Sequence, residues 1–498
     1  MNRTKPVAGP IGRAPVTWLA LSLLLLPLMI TSESLWLDEG DTVMYALQPD
    51  FHSWQQYLSH DLAADCQMPL SMFFAWVAGQ TLGTHEWQLR VINVLWGALA
   101  LFAFHRAGKW LGLPWLPLLL AAQPYFWFYT NEARPYALQI ACGAWLFAGF
   151  AEFIALKGTG ELWAWVFAAA AFFLCLTTML APLPILVVVV TGGIIAGLRR
   201  WKVSRKAIMI LLGGAIANIP IAIYYFSTLA RGAKGAQLWR VDLKFFGYVI
   251  YELTGLTGLG LPIEKIRELA KSPHLFTALN EHVFQFALPA IGFLLLLLVL
   301  AGGLRRRDGS SVAGLTAGIA GILSANSLVF VVVAICLQKA FWARHFAPVF
   351  PFYVALLALA IQGLCESNNR FAKLIPGLLI ALLLFSSLNL RFAARYRKED
   401  YKSAAQIAQR ALDGKKSVWW VAGLLPARYY HLDCTLSHPE TGKAFCPQSS
   451  EIQNLPAPDV IILSKPDIFD EPGSIQDLIR QNHYHPAETL KSFVIWTK

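Results

Sequence analysis

"RAPVTWLALSLLLLPLMITSESLWLDEG", residues 13–40, decides what class of molecule this is. Its apolar run, from about residue 15 to 31, is long enough to enter a bilayer, and soon after it come two adjacent carboxylates, Asp38 and Glu39. Arg3, Lys5 and Arg13 precede the run, so the positive-inside rule puts the N-terminus in the cytoplasm and "SLWLDEG" on the far side. "MITSES" offers no small-x-small cleavage site, and the segment reads as an uncleaved anchor.

The same pattern recurs along the chain. Its 498 residues are 56% hydrophobic and 14% charged, and the apolar residues gather in blocks of about 18 to 23, the length that spans hydrocarbon. A net charge of +11 would point to nucleic acid in a soluble protein. Here Lys and Arg sit in short clusters between apolar blocks, with no basic stripe interleaved with aromatics, so nucleic acid is excluded as a partner. Spans fall near 15–31, 91–106, 113–130, 136–156, 161–181, 184–198, 207–227, 284–301, 315–337, 346–364 and 374–390. They deliver "HRAGK", Lys157, "RRWKVSRK", "RRRD" and "NNRFAK" to the cytoplasmic side. "PLSMFFAWVAGQTLG" (69–83) is too short and is broken by Gly79, Gln80 and Thr81. Read as an interfacial amphipathic segment, it preserves the charge parity and leaves about eleven spans.

Three segments then face outward: 32–90, 228–283 and the tail from 391. The first carries helical patterns at about 41–48 and 52–62, with Trp36, Trp54 and Tyr57 suited to the headgroup layer. In the tail, "DYKSAAQIAQRAL" and "IQDLIRQN" read as helices, and "SVWWVAG", "DVIILSK" and "SFVIWT" as strands. The expected architecture is a mainly α, polytopic bundle over 1–390 and a small extracytoplasmic α/β domain over 391–498. Cys434 and Cys446, in "CTLSHPETGKAFC", both fall in that domain, where an oxidising compartment would permit a disulfide. Spacing alone leaves a bridge and a free pair equally open. There is no CxxC pair and no HExxH, so a zinc site has no sequence support.

On the same parity, several ionisable residues share the outer face. They are Asp38 and Glu39, Asp61 and Asp65, Glu86 and Arg90, Glu132 and Arg134 in "YTNEARPYAL", and Arg344 and His345 in "FWARHFAPVFP". Taken singly, each reads most simply as a loop charge or a snorkelling anchor. As a set placed by a parity that other residues fix, they point to a polar cavity at the membrane surface.

The order "LWLDEG", "DCQMPLSMFFAWVAGQTLGTHEWQLRVINVLWGAL", "YTNEARPYAL", "ARHFAPVFPFYVALL", "EDYKSAAQIAQRA" resembles the GT-C type membrane glycosyltransferases. The similarity is greatest to the branch holding protein O-mannosyltransferases and lipid A aminoarabinose transferases. It covers the first 157 residues best and returns near 341–362 and 399–412. The resemblance implies a transferase that takes a sugar from a polyprenyl-phosphate carrier at the non-cytoplasmic face. It places the catalytic carboxylate of the first outer loop on Asp38, with Glu39 completing an acidic pair. Many relatives carry His-Pro-Pro or Lys-Pro-Pro after an acidic residue, where this chain has Gln67, Met68 and Pro69 after Asp65. That departure implies a different sugar or acceptor.

Displacing polyprenyl phosphate from an anomeric carbon needs a base for the acceptor's proton and cations for the departing phosphate. Asp38 is the candidate base, with Glu39 either orienting it or helping to hold a cation. Arg134, Arg90 and Arg344 are the phosphate candidates because a guanidinium matches phosphate oxygens, and His345 and Tyr136 follow. Asp65, Gln67 and Glu132 are candidates for the acceptor or loop site. Single displacement would invert the anomeric centre, whereas retention needs a second carboxylate as nucleophile. No cofactor is fixed; a divalent metal is the one to consider, and its ligands are unassigned. The implied partners are a polyprenyl-phosphate sugar, membrane lipid and a glycan, glycolipid or protein acceptor, with the bacterial inner membrane as the expected location. A flippase of lipid-linked sugars would instead need ionisable residues at mid-span in matched halves, and a scaffold would have no use for the charged set.

Overall fold

The computed structural model describes residues 14–61, 64–235, 243–262, 265–266, 269, 282–305, 310–337, 341–448, 452 and 455–498. Among the described residues, six helices are long and apolar enough to cross a membrane: Glu86–Leu111, Tyr136–Ala155, Arg205–Leu229, Val283–Leu304, Gly314–Cys336 and Arg370–Phe392. Val16–Met29, Leu162–Thr177, Pro182–Leu198 and Phe350–Cys365 are apolar but shorter. The protein is a multi-pass membrane protein. Residues 69–83, denied a span above, form the helix Pro69–Leu82, which at 14 residues is too short to cross.

One expected span is not a continuous helix. Residues 113–130 form two short helices, Leu116–Ala121 and Pro124–Thr130. Pro124 imposes the break, since the residue before a proline is driven to extended backbone and Gln123 sits at φ −78°, ψ 125°. The carbonyls this releases are capped: Trp127 Nε1 donates to Ala121 O at 2.6 Å, and the Ser387 hydroxyl to Ala122 O at 2.9 Å. Residues 207–227 lie in the apolar helix Arg205–Leu229, where Asn218, still right-handed helical at φ −84°, ψ −8°, joins Arg205–Ala217 to Ile219–Gly235 just before Pro220.

The chain divides into two compact units. The first comprises the N-terminal helix, residues 58–74 and residues 90–396. Its centre is Tyr136–Ala155, buried almost all round as a core helix of a bundle must be. Small residues let helices meet closely: a Cβ on Gly303 would collide with the carbonyl of Ala360 where Val283–Leu304 packs on Phe350–Cys365.

The second unit comprises residues 31–57, 75–89 and 397–498. Its sheet has the strands β1 (Val418–Val421), β2 (Cys434–Thr435), β3 (Ala444–Phe445), β4 (Val460–Ser464), β5 (His485–Leu490) and β6 (Phe493–Thr497) in the order β2-β3-β1-β4-β6-β5. Strands β2, β3, β1 and β4 run parallel, and β4, β6 and β5 antiparallel. Alternation along β1 sends Trp420 to a core with Tyr401 and Phe493 beneath helix Tyr401–Asp413, and Trp419 to the opposite core with Phe445, Ile475 and Ile479. The expected strands at 418, 460 and 493 form. Strands β2, β3 and β5 were not expected: two are only two residues long, and β5 lies largely exposed at the sheet edge.

Candidate functional site

In the second unit, Asp38 and Glu39 occupy the first turn of the helix Leu37–Ala46, where the helix dipole favours negative charge. Their surroundings differ. Glu39 is fully buried; its Oε2 accepts from the backbone N–H of Trp36 at 3.3 Å and its Oε1 from Lys398 Nζ at 2.9 Å. Asp38 is only half-buried. The helix is held tightly, since a Cβ on Gly40 would lie 2.5 Å from the Pro426 ring and one on Gly423 2.5 Å from Leu37. Close by, Lys465 pairs with Glu399 and lies 5.6 Å over the Trp36 ring. Lys465 is held at φ 40°, a left-handed conformation that non-glycine residues adopt at a cost. Burial first, then the charge of Glu399, hold the Tyr401 hydroxyl above its ordinary range.

Glu86 belongs to the same unit and is also a structural acid. It accepts from Lys402 Nζ at 3.1 Å and from the Tyr430 hydroxyl at 3.3 Å, which in turn accepts from Leu35 N at 2.8 Å. Sequence reasoning missed Lys398, Lys402, Tyr430 and Lys465. The first two lie in the basic run "RYRKEDYK" just past the last apolar helix, which was visible; the pairing was not.

The first unit holds the rest of the charged set. Asp65, in the 3-10 turn Ala64–Gln67, is 2% exposed and grips Arg134 with both oxygens, at 2.7 and 2.8 Å. It is therefore no solvated loop carboxylate, and Arg134 is engaged by it in a bidentate fork. The turn is pinned by the Tyr224 hydroxyl, which donates to Cys66 O at 2.6 Å. Gln67 follows, with a buried Nε2 that has no hydrogen-bond partner among the described residues. Arg90 is completely buried and Glu132 nearly so. Asn93 Nδ2 ties down the backbone before Arg134, donating to Thr130 O at 3.1 Å and to Glu132 O at 2.5 Å.

Arg344 and His345 sit, half-buried, in the 3-10 turn Ala343–Phe346. The Tyr125 hydroxyl donates to Ala343 O at 2.8 Å, and His345 Nδ1 lies 3.1 Å from Trp342 O. Tyr136 is buried with its ring edge-on to Tyr129 at 4.9 Å. The hydroxyl of Tyr129 donates to Glu252, a buried carboxylate absent from the sequence-derived set. Burial raises the Glu252 carboxyl above its ordinary range, against the opposing pull of the Tyr129 hydrogen bond, the Arg344 charge and the Tyr248 hydroxyl. Among the described residues no group of three or more His, Cys, Asp or Glu could hold a metal ion. Cys434 and Cys446 lie side by side as thiols in hydrogen-bond contact, and that bond lowers the Cys434 pKa.

No family model matches the chain, and no curated protein matches its sequence. Solved structures do match. ArnT from Cupriavidus metallidurans in the apo state superposes with a TM-score of 0.53 at 12% identity over 97% of both chains. The same protein bound to undecaprenyl phosphate gives 0.51 at 13% identity, again over 97% of both. The fold of this chain, a mainly helical membrane bundle with a small C-terminal α/β domain, is therefore the fold of ArnT.

Proposed function

We propose that this protein is a membrane glycosyltransferase that moves a sugar from a polyprenyl-phosphate carrier to an acceptor hydroxyl on a glycolipid, polysaccharide or protein. The observation that carries the reading is the fold shared along 97% of the chain with ArnT, one structure of which holds undecaprenyl phosphate. The compact outer loops and small tail favour a bacterial inner membrane over an endoplasmic reticulum, and charge parity favours a periplasmic side for the 32–90 loop and the C-terminal domain.

In the proposed reaction the acceptor oxygen attacks the anomeric carbon, the bond from that carbon to the phosphate oxygen breaks, and polyprenyl phosphate leaves. The acceptor's proton passes to Asp38. Asp38 rather than Glu39 takes this role because both oxygens of Glu39 are already committed, one to Lys398 and one to the Trp36 backbone. Attack by the acceptor itself, in a single displacement, inverts the anomeric centre. Arg344, Arg90 and Arg134 meet the charge that develops on the phosphate, with His345 and Tyr136 beside them. Arg134 does so while held by Asp65. Gln67 and Glu132 face the acceptor or its loop. Each of these steps is carried by side chains of this chain.

The test is a transfer assay in detergent with a panel of polyprenyl-phosphate sugars. Asp38→Asn keeps the shape and the helix position of Asp38, so it should elute and melt like the parent protein. Its turnover should fall by about 10²–10⁴-fold, the usual worth of a positioned base. Parental turnover in the Asn variant removes Asp38 from the role.

A further inference from the structure

Glu252 sits in the helix Leu243–Leu253, between two apolar helices, and none of the roles above uses it. An ionised carboxylate buried this deeply is costly unless it is paired and hydrogen-bonded. Its surroundings come from three elements. Tyr129, from the helix Pro124–Thr130, donates its hydroxyl to Glu252 Oε1. Tyr248, one turn back on the same helix, supplies a second hydroxyl, and its ring packs edge-on against Trp342 at 5.6 Å. Arg344 stands close enough for its charge to favour the carboxylate, in the turn against which Leu243–Leu253 packs. Tyr125, its ring tilted against that of Tyr129 at 4.5 Å, fixes the same turn through Ala343 O. Two of the three elements that surround Glu252 thus also grip the segment carrying Arg344.

We propose that Glu252 is the positioning residue for Arg344: fixed by the hydroxyls of Tyr129 and Tyr248, its carboxylate holds the guanidinium where a polyprenyl phosphate is bound. The role rests on the reading of Arg344 as a phosphate ligand. A long arginine side chain loses several rotatable bonds' worth of freedom when it grips a ligand, and a fixed counter-charge bears that cost before the ligand arrives. Glu252 touches no substrate; its effect passes through Arg344.

The test is a double-mutant cycle on binding of undecaprenyl phosphate to the full-length protein in detergent. Arg344→Ala should raise Kd by at least about tenfold, the loss of one charge-assisted contact. Glu252→Gln, which keeps volume and can still meet both hydroxyls, should raise Kd about threefold to tenfold on the same scale. In the Arg344→Ala background the Gln substitution should add nothing, which a merely structural effect would not reproduce. Should Glu252→Gln fail to fold, Tyr248→Phe keeps the contact with Trp342 and enters the same cycle. Additive effects, or parental Kd in the Gln or Phe variant while Arg344→Ala is weakened, overturn the positioning role and leave Arg344 as a ligand. Parental Kd in Arg344→Ala overturns the phosphate reading itself and the positioning role with it.

Discussion

Asp38 and Glu39 are neighbours in sequence with opposite physical circumstances. Both profit from the helix N-terminus, but only Glu39 is sealed from solvent, with Lys398 as its counter-charge at 2.9 Å. Removing one partner of such a pair leaves a buried charge with nothing opposite, so Lys398→Ala should destabilise by about 3 kcal/mol. Thermal unfolding in detergent would register it as a clear drop in midpoint, and Lys398→Ala combined with Glu39→Gln should recover part of the loss. An unchanged midpoint for Lys398→Ala would mean the pair contributes nothing. The sequence marked the two acids as unusual but could not rank them. The ranking depends on a lysine 359 positions away, and no local pattern records such a pairing. For Asp65 the sequence leaves a solvated loop charge and a site residue equally open for the same reason: its partner Arg134 arrives from the turn before Tyr136–Ala155, and only the fold reveals that the carboxylate is dry.

At the scale of elements, hydropathy located the long apolar helices but not Leu243–Leu253, and proline decided where it misled. The run 113–130 has the composition of one span, yet Pro124 cuts it, and Trp127 and Ser387 cap the carbonyls thereby freed. In the C-terminal domain the continuous apolar runs "VWWV" and "VIIL" were enough to place the central strands, whereas β2 and β3 are too short to carry a pattern. Those two short strands pair in register, Cys434 opposite Ala444, and bring Cys434 and Cys446 together. We expect oxidised protein from a periplasmic preparation to yield a Cys434–Cys446 linked peptide on non-reducing digestion, and the linkage to stabilise the domain by about 3 kcal/mol. Before oxidation Cys434, with its lowered pKa and greater exposure, should alkylate ahead of Cys446. Recovery of both residues as unlinked thiols under oxidising conditions would refute the bridge.

For the whole molecule, the class and fold were legible because a bilayer constrains composition so strongly: apolar length sets the helices, and Lys and Arg clusters set their direction. A reporter fused at Ser204 should therefore read cytoplasmic and one at Gly442 periplasmic, and the reverse would undo the orientation. The interior chemistry was less legible. Glu252 lies in an unremarkable "VIYELTG" and became visible only when Tyr129, Tyr248 and Arg344 were brought around it. The proposed function is the handling of a lipid-linked sugar, and native mass spectrometry of the protein purified from its own membrane tests that proposal directly. A bound species with the mass of a polyprenyl phosphate or its glycosyl ester is the predicted result. Protein that carries only bulk phospholipid, and that takes up no added undecaprenyl phosphate, would contradict it.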